Sequence, residues 1–179
     1  PGRNARRPFG NVFFPWTARM PVDERQPVTE PLTTQLLSRI PDDHNRGDPW
    51  RKALIEKGLA AGDPGICLLL DVTVLGYAML KQLQDRMEIL NLVVFPLYRS
   101  KGYGGLLLQT IEDICRREGS AGIWLEVREG NEAAVNLYRS RGYFPVGRRP
   151  GYYTGSGPGK AEDAILMEKP LAATGETQG

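Results

Sequence analysis

The sequence predicts a mixed α/β domain. Apolar runs at Ile66–Leu70, Val74–Leu83 and Glu88–Phe95 have strand length and end at turn residues. A segment of helical period follows at Gly104–Glu118, and strand-like and helix-like stretches alternate after it. The chain has 179 residues, 41% hydrophobic and 25% charged, room for one such domain with a short extension.

Those fractions exclude a disordered chain, a collagen and a coiled-coil rod. Lys and Arg number 23 against 21 Asp and Glu, a net charge of +2. That is too balanced for a dedicated nucleic-acid binder, so no direct nucleic-acid partner is expected. The apolar run Ile66–Leu70 stops at Asp71. Nothing approaches the roughly 20 residues that span a bilayer, so no membrane partner is expected either. Cys67 and Cys115 have no CxxC spacing and fit a reducing, cytoplasmic setting, each on an apolar element. The single histidine, His44, lies in the polar stretch Asp42-Asp43-His44-Asn45 and reads as a surface residue. One histidine supports neither a His-based metal cage nor a Ser-His-Asp triad, and no metal is expected.

Eight of the 14 prolines fall in the first 49 residues. Residues 1–28 show no periodicity and read as an irregular arm, with Phe9, Val12, Phe13, Phe14 and Trp16 to pin it to the globule or to a partner. The chain starts at Pro1 rather than Met, which reads as processing or trimming, and no charged-then-apolar leader follows. The domain is expected over 29–171, fraying from Leu171, with a flexible tail over 172–179. Pro31 opens a first helix at its N1 position, with Leu32, Leu36, Leu37 and Ile40 on one face. Asp48-Pro49-Trp50 starts a second, which Gly62, Pro64 and Gly65 stop. The long helix buries Leu107, Ile111 and Ile114 and turns Glu112, Asp113, Arg116 and Arg117 to solvent. Ile123–Arg128 is an apolar strand. Asn131 caps a helix through Arg141, and Tyr143–Arg149 and Asp163–Lys169 form a last strand pair around a glycine-rich loop, Pro150–Ala161.

Between the third strand and the long helix stands Arg99-Ser100-Lys101-Gly102-Tyr103-Gly104-Gly105. Glycines permit torsions and close approaches that a Cβ forbids. A helix N-terminus leaves amide hydrogens unpaired and carries partial positive charge. Arg99 and Lys101 add full charges, so the loop suits a phosphate or pyrophosphate. A dinucleotide GxGxxG fails at Leu107, and a P-loop ending at Gly159-Lys160 fails at Thr154 and Ala161.

The run Arg99-x-x-Gly102-x-Gly104 after a strand resembles the acetyl-CoA pyrophosphate loop of the GNAT superfamily of N-acetyltransferases. The likeness continues through Leu90–Val94, Trp124–Arg128, Asn131–Ala134, Leu137-Tyr138, Gly142-Tyr143, Arg149–Tyr153 and Glu162–Ala164. Over about residues 30–170 the chain is similar to the RimI-type N-terminal acetyltransferases. The resemblance implies the GNAT acyltransferase fold, a central twisted mixed β-sheet flanked by about four helices. It implies acetyl-CoA as co-substrate, paired with the backbone of Leu92, Val93 and Val94. Arg99, Ser100, Lys101, Gly102, Tyr103, Gly104 and Gly105 would hold the pyrophosphate, and Asn131 would touch the pantetheine. Glu126 would be the general base and Tyr138 the acid for the departing thiolate. Tyr152 and Tyr153 would wall the first residues of the acceptor.

The residues themselves leave alternatives open. Glu126 shares a strand face with Trp124 and is costly inside an apolar strand unless used or paired, so a salt bridge would also explain it. Tyr138 can be a buried aromatic, Asn131 a plain N-cap, and Tyr152 and Tyr153 packing residues. The cluster Arg139, Arg141, Arg148 and Arg149 reads as a solvated face, with CoA 3′-phosphate or ribosomal RNA as a minority reading. By resemblance the acceptor is a protein N-terminus, the terminal alanine of ribosomal protein S18, and the enzyme a monomer or weak dimer. The rivals are acetylation of a small amine or a lysine side chain, and a CoA-binding, ribosome-associated module without turnover. The chain departs from the family at the apolar Phe95-Pro96-Leu97-Tyr98, at Tyr103, and at Gly105, where arginine is frequent.

Overall fold

A computed structural model describes residues 26–40, 52–154 and 161–171. The described elements run β1 Val28–Pro31, α1 Thr34–Leu37, α2 Lys52–Ala60, β2 Gly65–Leu70, β3 Thr73–Leu83, β4 Arg86–Val94, α3 Tyr103–Arg117, β5 Gly122–Arg128, α4 Glu132–Ser140, β6 Phe144–Thr154 and β7 Ala161–Pro170. One sheet holds all seven strands in the order β1-β2-β3-β4-β5-β7-β6. Every neighbour pair is antiparallel except β4 and β5, which run parallel.

The sheet has a core on each face, which is why β2 and β3 read as continuous apolar runs rather than alternating ones. On one side Leu107, Leu108, Ile111 and Cys115 of α3 and Val135 of α4 pack with Leu68, Leu80, Ile123 and Leu125. On the other, Leu37 of α1 and Ile55 of α2 pack with Cys67, Tyr77, Met79 and Val93. Strand β4 changes its facing halfway. Met79 pairs with Asn91 but Leu80 pairs with Ile89, so Leu90 is an extra residue bulged out of register. Before the bulge Met87 and Ile89 face α3; after it Leu92 and Val94 face α3 while Val93 joins the opposite core.

Four expectations change. Pro31 closes an edge strand, pairing with Ile66, instead of opening a helix. An edge tolerates a residue without an N–H, and the helix starts later, where the Thr33 hydroxyl accepts the Leu36 amide at 3.2 Å. The glycine-rich loop is shorter than expected because β6 runs on to Thr154. Glu112 is 1% exposed, not on the solvent face. Leu171, expected to fray, is buried and its amide donates to the Ala121 carbonyl at 2.9 Å. The aromatic arm through Arg25, His44, the Asp48-Pro49-Trp50 helix start and residues 172–179 lie outside the described residues. Among the described residues no helix is long and apolar enough to cross a membrane, and no group of three or more His, Cys, Asp or Glu side chains could hold a metal ion.

Candidate active site

Strands β4 and β5 share only four pairs, from Arg86↔Gly122 to Ile89↔Leu125. Beyond them β4 stays with β3 through Val94, and β5 stays with β7 through Arg128. The Leu90 bulge coincides with the parting and bends β4 away. A wedge therefore opens in mid-sheet, and backbone groups of β4 beyond Ile89 face it without a β5 partner. An extended ligand arm can pair with such an edge as an added strand would. Leu92, Val93 and Val94 form this wall. At its mouth the Arg99 Nε donates to the Val94 carbonyl at 3.0 Å.

The glycine loop lies where β4 hands over to α3. Phe95 is buried, its ring 6.3 Å from that of Tyr77, so the apolar departure there is half interior; Leu97 stays 82% exposed. Ser100 and Gly102 both take positive φ, 60° and 82°. Gly102 is the N-cap of α3 and supplies no side-chain cap, and no acidic residue stands in the first turn. The amides of Tyr103, Gly104 and Gly105 thus keep their donors and the helix its positive end. The glycines differ in what requires them. A Cβ on Gly104 would come 2.9 Å from Leu137, so that glycine lets α4 approach α3. A Cβ on Gly105 would meet nothing within 4 Å, leaving open space at the loop. Lys101 stands with its ammonium 5.9 Å over the Tyr98 ring.

Glu126 is the first β5 residue past the last β4 pair, and it faces away from α3 and α4, opposite to Leu125 and Val127. Its side chain is 12% exposed and carries an ion pair to Arg149 Nη1 at 2.8 Å. The Glu126 charge holds the Tyr152 phenol above its ordinary range, and the Arg149 charge offsets part of that. Tyr152 and Tyr153 meet edge to face at 5.0 Å, with the Arg149 guanidinium 5.3 Å over the first and Arg128 4.2 Å over the second. This wall is built by an irregularity in β6. Arg149 pairs with Ala164 and Tyr153 with Glu162, so Pro150, Gly151 and Tyr152 bulge opposite Asp163 alone. Gly151 takes φ 61°, and its amide donates to Asp163 Oδ1 at 2.9 Å.

Tyr138 comes from α4 on the other face. It is buried, 5.7 Å from the Tyr143 ring. Burial pushes its phenol well above the ordinary range, with Tyr153 adding to the shift from across the strand. Glu126 and Tyr138 therefore stand on opposite faces of β5, flanking the wedge. Asn131 caps α4, its Oδ1 accepting the Ala134 amide at 3.2 Å, while its NH2 group keeps two donors.

Sequence reasoning missed the part played by four residues. Glu88 on β4 lies one strand from Glu126 on the same face; burial and then the Glu126 charge raise its proton affinity. The argument that singled out Glu126, a carboxylate in an apolar strand, applies to it equally. Arg149 and Arg148 are paired rather than merely solvated, Arg148 with Glu129 and Asp163. Glu162 accepts the Gly130 amide at 2.7 Å and pairs with Arg128 at 3.3 Å, shaping the turn from β5 into α4.

The acetyltransferase (GNAT) family model matches residues 31–143. An uncharacterised protein of Mycobacterium leprae is 36% identical over 140 residues, which is 75% of this chain and 36% of that protein. The ribosomal protein bS18-alanine N-acetyltransferase of Escherichia coli is 37% identical over 97 residues, 54% of this chain and 64% of that enzyme. The crystal structure of the ribosomal-protein-S18-alanine N-acetyltransferase from Escherichia coli superposes with a TM-score of 0.75 at 27% identity, covering 85% of this chain and 98% of that one. The matched part of this chain thus spans about a third and just under two thirds of the two relatives aligned by sequence.

Proposed function

The chain belongs to the acetyltransferase (GNAT) family and has its fold, and on that footing we propose that it transfers an acetyl group from acetyl-CoA to the α-amino group of a protein terminus. The acceptor we favour is the N-terminal alanine of ribosomal protein bS18, on which the similar Escherichia coli enzyme acts by name. The observation that carries the reading is the wedge between β4 and β5, with uncapped helix amides at its mouth and Glu126 just past its apex.

The residues fit acetyl-CoA as co-substrate. Amides around Gly102–Gly105 suit a pyrophosphate, and the open space at Gly105 lets it approach. The backbone of Leu92–Val94 suits a pantetheine arm, with the Val94 amide directed to the thioester oxygen. The amine nitrogen attacks the thioester carbon; a C–N bond forms as the C–S bond breaks. Glu126, directly or through water, takes the proton the amine loses, and Tyr138 gives one to the sulfur. A terminal amine has a reference pKa of about 7.7–8.0 and lysine about 10.4, so losing a proton at pH 7 costs about 1–1.4 kcal/mol against about 4.6. One carboxylate is an adequate base for the first.

A second reading draws on Glu88. Beside Glu126 it makes an acidic pair of the kind a small cationic amine would favour, although Arg149 offsets part of that charge. The test is acetyl transfer, read by intact mass, to peptides beginning with Ala, Ser or Met, to Nα-blocked peptides with a free lysine, and to a polyamine. Transfer to free termini is expected. Transfer to blocked peptides or the polyamine alone sinks the terminal preference, and no transfer to any amine sinks the reading. Glu126→Gln should slow turnover at neutral pH and lose less at high pH; an equal loss at every pH removes the base role.

A further inference from the structure

A general base must have an oxygen free for the proton it takes, yet Oε1 of Glu126 is held at 2.8 Å by Arg149. A guanidinium keeps its proton at any working pH, so it cannot relay one. The two partners sit in different surroundings: the Glu126 side chain is 12% exposed and that of Arg149 49%. Arg149 is the last paired residue before the Pro150–Tyr152 bulge, on a strand at the edge of the sheet. Its other contact is the ring of Tyr152, itself half-exposed. Apart from Glu126 itself and the charge it offsets at Glu88, Arg149 has no buried partner among the described residues.

We infer that Arg149 is a displaceable counter-ion: in the free protein its guanidinium holds the place on Glu126 that the acceptor's ammonium takes, and the two cations exchange as the acceptor enters. This rests on the acetyl-transfer reading and deepens it by assigning a residue that sets acceptor affinity. Exchange of one cation for another leaves the carboxylate paired throughout. A blocked, neutral terminus cannot make that exchange without stranding a charge, which is costly for a poorly exposed carboxylate. Displacing Arg149 therefore costs either kind of end the same, and only a cationic end restores a pair on Glu126. A half-exposed pair is weak, so the exchange asks little of a cationic acceptor. When displaced, the guanidinium has solvent and the Tyr152 face to receive it.

The groups facing the pair fix the sign of the test. Glu88 comes from β4 and Tyr152 from β6, and Lys81 of β3 and Asp63 of the turn before β2 act in turn on Glu88. Arg128 and Glu162, paired together, stand farther along β5 and β7. Removing Arg149 takes away a cation that offsets the raised proton affinity of Glu88, so Glu88 holds its proton to higher pH.

The experiment compares the full chain with its Arg149→Gln and Arg149→Lys variants. Calorimetry of an alanine-initiated hexapeptide and its Nα-acetylated form, without acetyl-CoA, reads binding independently of turnover. Arg149→Gln should bind both the free-amine and the acetylated peptide about threefold to tenfold more tightly, keep the preference for the free amine, and leave acetyl-CoA affinity unchanged. Arg149→Lys should restore wild-type behaviour. In turnover the acceptor KM should fall and the acidic limb of kcat/KM move to higher pH. Weaker peptide binding by Arg149→Gln would make Arg149 a direct acceptor contact and overturn the proposal; so would unchanged affinity, or no peptide binding to either protein. A wild-type chain that binds the peptide as described but transfers no acetyl group would sink the transfer reading and leave the exchange standing.

Discussion

Replacing Gly76 with alanine should disturb the wedge through the backbone of Val93 and Val94, without touching the side chains of Glu126 or Tyr138. Gly76 lies in β3, paired with Leu68 on one side and Val94 on the other. An added Cβ would sit 2.3 Å from the Val93 carbonyl oxygen and 3.1 Å from the Val94 Cα. Both are backbone atoms of the wall that faces the wedge, so no side chain can swing aside. Real contacts of this kind do not fall below 3.0 Å, so β4 must shift by about 0.7 Å. Overpacking of this sort costs about 1–3 kcal/mol, and at about 2–4 °C per kcal/mol for a domain of this size the melting temperature should fall by about 2–12 °C. Displacing a positioning element by about 1 Å can cost a hundredfold in rate, so kcat/KM should fall by about tenfold or more. Thermal melts, acetyl-CoA calorimetry and steady-state kinetics read the three effects. Gly105→Ala is the contrast for stability: its Cβ meets nothing within 4 Å, and alanine favours a helix by about 1 kcal/mol over glycine, so its melting temperature should not fall. A Gly76→Ala chain that melts and binds acetyl-CoA like the parent refutes the argument. One that melts lower but binds normally shows that β4 does not form the ligand wall.

Glu112 is 1% exposed, and its Oε2 meets Lys169 at 2.8 Å, Arg141 at 3.2 Å and Arg116 at 3.4 Å. Glu112→Gln leaves three cations together and should cost about 3 kcal/mol, the low end for a broken buried pair because the cations are partly exposed; a loss under about 1 kcal/mol in urea melts counts against it. Tyr138→Phe should lower kcat by about tenfold to a hundredfold, modestly because a thiolate near pKa 8.5 leaves readily. Because burial holds the Tyr138 phenol far above its ordinary range, it stays loaded throughout, and the loss should be the same from about pH 6 to 9; a loss that varies with pH would argue against a fixed acid. Burial pushes the thiols of Cys67 and Cys115 from 9.0 up to about 12, and raises Tyr138 and Tyr143 as well. The folded chain then binds these protons more tightly than the unfolded one. Stability should be unaffected by these groups below about pH 9 and decline towards pH 12, by at most about 4 kcal/mol per thiol; a urea midpoint unchanged to about pH 11 would contradict this.

Much of the fold was legible where period and length agree. The strands from Ile66 to Phe95 and the helix after Gly102 follow from apolar runs and a stripe at helical spacing. Strand β1 was not legible: four residues ending in proline carry no alternation, and only pairing with β2 makes them a strand. Glu112 was misplaced although the signal existed. It lies on the stripe of Leu108 and Cys115, at spacings of four and three, and a carboxylate there calls for a buried partner. The glycine loop declared itself because positive torsions, a helix start and two cations coincide in a few letters. The Arg149 contact did not, since it depends on how far a bulge in β6 carries the chain back over β5.

The two bulges divide the labour of the site. A regular sheet would zip β4 to β5 along their full length and leave no slot. The extra residue at Leu90 spoils that pairing beyond Ile89, and the groups it releases on β4 turn towards the wedge. The second bulge, at Pro150–Tyr152, also frees backbone groups, but there the protein answers itself: Asp163 takes the Gly151 amide, and Arg148 ties the same carboxylate at 3.4 Å. A bulge whose polar groups are satisfied internally holds its shape and can serve as a wall, here carrying Arg149, Tyr152 and Tyr153. A bulge that leaves a strand edge unpaired is costly until something extended lies along it. On the reading proposed above, the difference in how each is completed would divide donor side from acceptor side: the arm of acetyl-CoA would lie at Leu92–Val94, and the entering amine beneath Tyr152, where Arg149 stands on Glu126.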